Sequence, residues 1–151
     1  MDLAFDANLL PRILFTIVAA GIAIGPVFAD FNATHATNPL WPPHARFHVV
    51  WQVLQQSSAS LIALFLLWQS SAEYVLHLYV VAAILFTWVL TFFGTLSSMR
   101  IFAGALRDVN GIEPFRFPLG GGRVVEVDTN LFGASVFTVV LVIATLSIRS
   151  A

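Results

Sequence analysis

The chain has 151 residues, of which 58% are hydrophobic and only 10% are charged. A soluble domain carries about 25% charged residues, so this deficit indicates that lipid surrounds much of the protein. The formal net charge of -1 gives no electrostatic basis for binding nucleic acid. The absence of cysteine excludes disulfides, thiolate metal sites and thiol nucleophiles.

Four apolar stretches are each long enough to cross the roughly 30 Å hydrocarbon core of a bilayer. They cover residues 9–28, 47–68, 74–96 and 131–148. This pattern predicts an all-α integral membrane four-helix bundle, and residues 1–151 are expected to form a single four-span domain. The short segment 69–73 makes the second and third spans antiparallel neighbours.

The first span contains two features with alternative interpretations. Gly21 and Gly25 form a small-xxx-small pair that another helix could approach closely, or they only loosen the helix before Pro26. Val27-Phe-Ala29 resembles a signal-peptide cleavage site, but Arg12 alone supplies a basic side chain ahead of it. We therefore expect a retained helix, with the Arg12 head group extended to the membrane interface.

The long connection between the third and fourth spans, residues 97–130, alternates around the run Gly120-Gly-Gly122. This pattern predicts a small β-hairpin, and an extended glycine loop without strands is the alternative. The run lacks the lysine and the following helix of a phosphate-binding loop. Thr129 or Asn130 is expected to cap the fourth span.

Arginines are distributed unequally between the two ends of the predicted bundle. Five lie at the end that carries loops 29–46 and 97–130, and two lie at the end that carries the termini. The first set is Arg46, Arg100, Arg107, Arg116 and Arg123, and the second is Arg12 and Arg149. The positive-inside rule therefore places both loops in the cytoplasm and the termini outside.

Residues 30–48 hold three of the four histidines, in a proline-rich loop that runs into the second span. The helix is expected to begin at the two prolines before His44. At about 100° per residue, His44, His48, Gln52 and Gln55 then share an arc of roughly 80°. Polar side chains in lipid are costly, so this stripe should face the bundle interior or a cavity.

Histidines spaced i,i+4, as His44 and His48 are, can bind one metal ion from one helix face. With His35 and Asp30 from the loop, three imidazoles and a carboxylate would suit Fe, Cu or Zn. His44, His48 and Asp30 are therefore the candidate catalytic residues, with or without a metal. The alternatives are a metal-free pocket in which a histidine is the general base, and purely structural hydrogen bonding.

Four further side chains are candidate substrate-binding residues, namely Arg46, Gln52, Trp41 and Asn38. Arg46 could hold a carboxylate or phosphate through two parallel hydrogen bonds, or it could anchor to lipid phosphate or pair with an acid. Trp41 and Asn38 belong to a stiff segment that could form a lid.

The third span carries a polar arc, and the fourth span is almost wholly apolar. The arc covers roughly 80° and consists of His77, Thr87, Thr91, Thr95 and Ser98. Small hydroxyl side chains favour close helix contact, so this arc is expected to be a helix-packing face. The fourth span is expected to be packing or lipid-facing surface.

Residues 30–48 follow the pattern D-x-N-x-T-H-x-x-N-P-x-W-P-P-H-A-R-F-H. The pattern resembles that of a domain-of-unknown-function family of small four-helix membrane proteins, which implies the four-span fold and no particular activity. The size and span plan also resemble the anthrone-oxygenase-like membrane proteins. That second resemblance implies oxidation of an apolar substrate.

The leading hypothesis is a membrane enzyme whose histidine-rich interfacial pocket acts on a lipophilic small molecule. Oxidoreduction is the first reaction considered, and isomerisation or hydrolysis would also fit. The alternatives are a non-enzymatic accessory or scaffold subunit of a larger membrane complex, and a small transporter. Membrane lipids are expected partners, a homo-oligomer or a membrane-complex partner is also considered, and nucleic acid is not expected.

Overall fold

Four long helices dominate the computed structural model, which describes residues 7–69 and 71–149. We number them α1 to α4, in the order Leu9–Asp30, Pro43–Trp68, Tyr74–Ser98 and Thr129–Leu146. A 3₁₀ turn, Met99–Phe102, extends α3. All four helices are long and apolar enough to cross a membrane, which confirms the predicted fold class. Pro43 is the first residue of α2, where its missing N–H costs nothing.

The helices form a ring in chain order. α1 and α3 each pack against α2 and α4, with a lighter contact between α1 and α3 across the ring. Ser70, within the predicted turn between α2 and α3, lies outside the described residues. Four successive crossings place both long loops at one end of the bundle, the loop side, and the described chain ends around Asn8 and Arg149 at the other, the terminal side.

The terminal-side half of the bundle is a packed core. Its buried members include Phe15, Val18, Ala19, Ala63, Leu67, Leu78, Val81, Leu141 and Ala144, each 0% exposed. In lipid, helices gain stability from close van der Waals packing rather than from leaving water. Small residues such as Ala19, Ala63 and Ala144 allow the helices to approach closely here.

Arg12 is buried at the terminal-side end of this core, against the last turn of α2, rather than extended into solvent. Its side chain is 0% exposed, and its Nε donates to the carbonyl of Leu67 at 3.1 Å. Its guanidinium lies 4.1 Å from the centre of the Trp68 ring. The last carbonyls of a helix lack intrahelical partners and carry negative partial charge, so a cation there stabilises the end of α2.

The predicted β-hairpin is present between α3 and α4. Strand β1, Phe115–Gly120, pairs antiparallel with strand β2, Arg123–Val127. Gly120, Gly121 and Gly122 have φ values of 83°, 58° and 77°. Residues with a Cβ avoid this left-handed region, so the glycine run can make the tight turn that other residues could not.

The cap of α4 differs from the prediction. Asp128, rather than Thr129 or Asn130, is the capping residue, and its Oδ1 accepts the N–H of Asn130 at 2.9 Å and of Leu131 at 3.1 Å. A carboxylate is well suited to this position because the N-terminus of a helix carries positive partial charge.

Candidate functional site

The loop-side half of the bundle surrounds a cavity of about 860 Å³ that all four helices line. Its walls come from the C-terminal halves of α1 and α3 and the N-terminal halves of α2 and α4. The lining residues with polar side-chain atoms are Asp30, His35, Trp41, Gln52, Gln55, Gln56, Ser60, Thr87, Trp88, Thr91, Thr95, Thr129 and Asn130. The packed core lies beyond it on the terminal side.

Glycines leave the space for this cavity. Gly25 and Gly133 both line it, and a Cβ added at either would have no atom within 4 Å. Gly21 instead makes a close helix contact, since a Cβ there would lie 2.5 Å from Cζ of Phe137 in α4. The two glycines of the sequence pair therefore differ, because Gly21 brings α1 against α4 and Gly25 leaves room.

Pro26 lies inside α1 and lines the cavity. Proline lacks an N–H and its ring crowds the preceding turn, so it disturbs the helical hydrogen bonds there. Ser57 of α2 donates to the carbonyl of Ala23, in that preceding turn, at 2.7 Å. A neighbouring helix therefore supplies a partner beside the proline, as membrane proteins often require.

Two loops meet at the loop side of the bundle, and the first of them contributes His35 and Trp41 to the cavity lining. The first, residues 31–42, connects α1 to α2, and the second, residues 103–114, follows the 3₁₀ turn. Nε1 of Trp41 donates to Oδ2 of Asp108 at 2.6 Å and joins them. This hydrogen bond holds the pKa of Asp108 below its ordinary value, so the carboxylate is charged at neutral pH.

Asn38 is the second link between the loops. Its amide is 0% exposed and exchanges hydrogen bonds with the amide of Asn110, at 3.0 and 3.3 Å. It also donates to the carbonyl of Thr34 and accepts from the N–H of Leu40. The predicted substrate-binding residue Asn38 thus holds the loops together and does not line the cavity.

Asp30 and His35 form a partly buried pair at the loop end of the cavity. Oδ1 of Asp30 lies 3.4 Å from Nδ1 of His35, and the hydroxyl of Thr34 lies 2.7 Å from the same nitrogen. That hydroxyl is also 2.7 Å from Oδ1 of Asn32, which can only accept. The arrangement favours a proton on Nδ1 and leaves Nε2 with a free lone pair. The Trp41 ring packs edge-on against the imidazole, 5.3 Å between centroids.

His44 and His48 pair with each other on the exposed outer face of α2. Their Nε2 atoms are 3.0 Å apart, and the rings meet edge-on at 4.5 Å between centroids. Phe47 and Trp51 pack beside the His48 ring, each 5.8 Å away. Neither histidine lines the cavity, whereas Gln52 does, so the predicted polar stripe divides between the outer face and the cavity wall.

The predicted metal ligands therefore fall into two separate pairs. Within residues 7–69 and 71–149, no group of three or more His, Cys, Asp or Glu side chains could hold a metal ion. A centre built from His35, His44, His48 and Asp30 does not fit this arrangement. The reason is that α2 turns two imidazoles outward, while the first loop holds the third against Asp30.

The remaining predicted substrate-binding residues take different positions. Gln52 and Trp41 line the cavity. Arg46 is half-buried in the first turn of α2, away from the cavity, and has no ion pair within the part of the chain that the structure describes. The cavity thus includes two of the four predicted residues.

Sequence reasoning missed the walls that α3 and α4 contribute. Thr87, Thr91 and Thr95, predicted to pack against a helix, line the cavity instead. Thr91 donates to the carbonyl of Thr87 at 2.7 Å, so its hydroxyl is satisfied within its own helix. A threonine arc therefore suits a helix contact and a cavity wall equally. Phe137 of α4 also lines the cavity, and no signal in the sequence indicated it.

The fold and the cavity define a four-helix, multi-pass membrane protein with an internal pocket. Residues 13–105 match the model of a family of unknown function, DUF6640, and the chain belongs to this family. The matched region contains α2, α3, most of α1 and the first loop. No curated protein and no solved structure matches the chain. The family prediction is confirmed, while the likeness to anthrone-oxygenase-like proteins stays a prediction.

Proposed function

We propose that the protein binds a lipophilic small molecule in the loop-side cavity, and that Asp30 and His35 transfer a proton to or from it. The cavity of about 860 Å³ is the observation that carries this proposal. Small-molecule sites are typically clefts of about 300–1,000 Å³, mostly apolar with a few converging polar groups. The walls of this pocket are membrane-spanning helices, which favours a lipophilic ligand.

The walls of the cavity suit a molecule that carries hydrogen-bonding groups on an apolar body. Gln52, Gln55 and Gln56 line it from α2, whereas Ile22 and Phe137 line it from α1 and α4. Amide side chains within a membrane are costly unless they have partners. Three glutamines in one wall therefore favour a ligand with carbonyl or hydroxyl groups.

The Asp30–His35 pair supplies acid–base chemistry at the loop end of this pocket. With the proton on Nδ1, Nε2 of His35 can accept a proton from the ligand as a general base. The Asp30 carboxylate, 3.4 Å from Nδ1, stabilises the imidazolium that forms. The same imidazolium can return the proton to another atom of the ligand. The net reaction is an isomerisation, and no electrons are gained or lost.

Isomerisation requires fewer components than the reaction first predicted. Oxidoreduction, which the sequence suggested first, would need an electron acceptor in addition to the acid–base pair. Proton transfer needs only groups that the structure already places at the cavity. The substrate-facing residues in this proposal are Asp30, His35 and Gln52.

The transporter alternative has less support. A transport path must continue through the bundle, and the terminal-side half is filled by packed side chains such as Phe15, Leu67 and Leu141, each 0% exposed. The scaffold alternative stays a prediction. It requires a protein partner that purifies with the chain in mild detergent.

A cavity-filling substitution tests the binding step. Gly133→Leu places a side chain in the cavity, whereas Gly94→Leu adds the same side chain to α3 away from the cavity, again with no atom within 4 Å of the Cβ. Organic extracts of the purified proteins are compared by mass spectrometry. We expect one compound in wild type and Gly94→Leu and at least a tenfold loss in Gly133→Leu. Equal retention by all three proteins would contradict the proposal.

Two further variants test the proton transfer separately. His35→Gln and Asp30→Asn remove the base and its carboxylate partner, and both retain hydrogen-bonding capacity. We expect them to keep the bound compound but to shift the extract toward one of two isomers of identical mass. An isomer ratio unchanged from that of wild type would contradict proton transfer by Asp30 and His35. Only the binding of a ligand in the cavity would then be supported.

We further propose that the cavity faces the cytoplasm, because the loop side carries most of the arginines. Val109, in the second loop, is 91% exposed, and the chain has no cysteine of its own. Val109→Cys in intact cells should therefore resist a membrane-impermeant maleimide until the membrane is opened. Labelling of Val109→Cys in intact cells would show that the loop side faces outward.

A further inference from the structure

The β-hairpin between α3 and α4 has one apolar face and one mixed face. Successive side chains of a strand alternate between faces, and the register fixes which residues share a face. The apolar face consists of Phe115, Phe117, Val125 and Val127, and the opposite face of Arg116, Pro118, Val124 and Glu126. Nε of Arg116 lies 3.0 Å from Oε1 of Glu126, as partners across the mixed face should.

The apolar face is not fully covered by the rest of the chain. Phe115, Phe117 and Val125 are each 42% exposed. Leu119, beside the glycine turn, is 67% exposed. A hairpin immersed in water would normally bury such residues or replace them with polar ones.

The covered part of this face packs on the start of α4. The ring of Phe132 lies 5.1 Å from that of Phe115 and 6.3 Å from that of Phe117, between centroids. Phe132 also begins a shallow apolar groove of about 310 Å³, which continues along the outside of α4 through Val136 and Val139. The hairpin's apolar face is therefore continuous with the outer surface of a membrane-spanning helix.

The connection to α4 holds the hairpin at the membrane surface. Only Asp128 separates the end of β2 from the first residue of α4. The hairpin can therefore not move far from the level at which α4 enters the bilayer. Since the outer surface of α4 contacts acyl chains, the apolar face that extends it lies close to the same chains.

We infer that the hairpin is an interfacial element, with Phe115, Phe117 and Val125 against the acyl chains of the protein's own membrane. Aromatic side chains are enriched at this boundary, and amphipathic elements bury their apolar face about 5–10 Å into it. Arg116 and Glu126 then face the head groups and water. Arg123, in the turn region, is placed to contact anionic head groups.

The natural absence of cysteine permits a direct test with single-cysteine variants. Val124 and Val125 are adjacent, of one residue type and on opposite faces, so Val125→Cys and Val124→Cys form a matched pair. Each carries a nitroxide label in phosphatidylcholine vesicles that contain phosphatidylglycerol, at a high lipid-to-protein ratio. Collisions of the label with oxygen, which concentrates in acyl chains, and with a water-soluble nickel chelate are measured by electron paramagnetic resonance.

The expected result is a difference between the two faces. The label at position 125 should collide several-fold more with oxygen than with the chelate, relative to the label at position 124. Phe117→Cys, on the same face of β1, should resemble Val125→Cys. Equal chelate access at all three positions would show a hairpin in water. Protection from both reagents, or spin–spin broadening that reports a second copy, would show a protein-covered face, and either result would overturn the inference.

Discussion

Nε1 of Trp41 donates to Oδ2 of Asp108 at 2.6 Å, which fastens the loop before α2 to the loop that follows α3. The first of these loops contributes Trp41 to the cavity lining. The hydrogen bond therefore couples the position of a cavity wall to a carboxylate 67 residues away in the chain. A variant that lacks the indole N–H loses this link between the loops but keeps an aromatic ring at position 41.

Trp41→Phe should loosen the second loop and leave the helices in place. Phenylalanine keeps an aromatic ring beside His35 but cannot donate to Asp108. We expect amide hydrogen exchange in residues 103–114 to become several-fold faster, with exchange in α1 to α4 unchanged. Trp51→Phe is the control, because Trp51 lies on the outer face of α2 and is 57% exposed. Identical exchange in the two variants would show that this hydrogen bond does not hold the loops.

Loop closure should resist moderate acidification. The pKa of Asp108 is lowered in the folded protein, mainly by the hydrogen bond from Trp41. Its contribution is therefore present above the unfolded value of about 3.9, and is lost as the pH falls through the lower folded value. Distances between spin labels at Thr37→Cys and Val109→Cys should stay constant from about pH 8 to 5 and broaden only below about pH 4. Broadening already between about pH 8 and 5 would show that this carboxylate does not hold the loops together.

Gly21→Ala should destabilise the bundle through the ring of Phe137. The added Cβ would lie 2.5 Å from Cζ of Phe137, so the ring must shift. Such overpacking typically costs about 1–3 kcal/mol. We expect a lower thermal unfolding midpoint, restored largely by Phe137→Leu in the same chain. Gly94→Ala, which meets no atom within 4 Å, is the control and should leave the midpoint unchanged or raise it. An equal effect at positions 21 and 94 would argue against the contact.

The metal hypothesis can be tested on the two histidine pairs. The described geometry brings His44 and His48 together and keeps His35 with Asp30, so added Cu²⁺ should bind weakly at the exposed pair. His44→Ala and His48→Ala should each abolish this binding, and His35→Ala should not, as measured by calorimetric titration. A loss of binding in His35→Ala would show that the three imidazoles converge after all.

Much of the fold follows from local rules that the sequence displays. Each span is apolar over a length that fits a bilayer, and the positions of α1 to α4 agree with the predicted stretches within a few residues. Pro43 begins α2, and the alternation around Gly120 to Gly122 predicts the hairpin. These features depend on neighbours in the chain, so a sequence pattern is sufficient to predict them.

The candidate site depended on which helix faces meet. The stripe from His44 to Gln55 is continuous on a helical projection, yet only its glutamine end lines the cavity. Arg12 and the threonines of α3 illustrate the same limit. Arginine and threonine side chains can satisfy their hydrogen bonds in more than one environment. Whether such a residue lies in the core, at the cavity or on the surface depends on which helices surround it.

By itself, the sequence determined the four membrane-spanning helices, the hairpin and the polar loop, since these follow from hydropathy, glycine conformation and proline geometry along one chain. Only the tertiary structure decided that Asp30 and His35 lie at the cavity while His44 and His48 lie outside it, and that the open space lies between the four helices. Those outcomes depend on how four helices rotate and approach one another. That rotation is set by packing between residues far apart in the sequence.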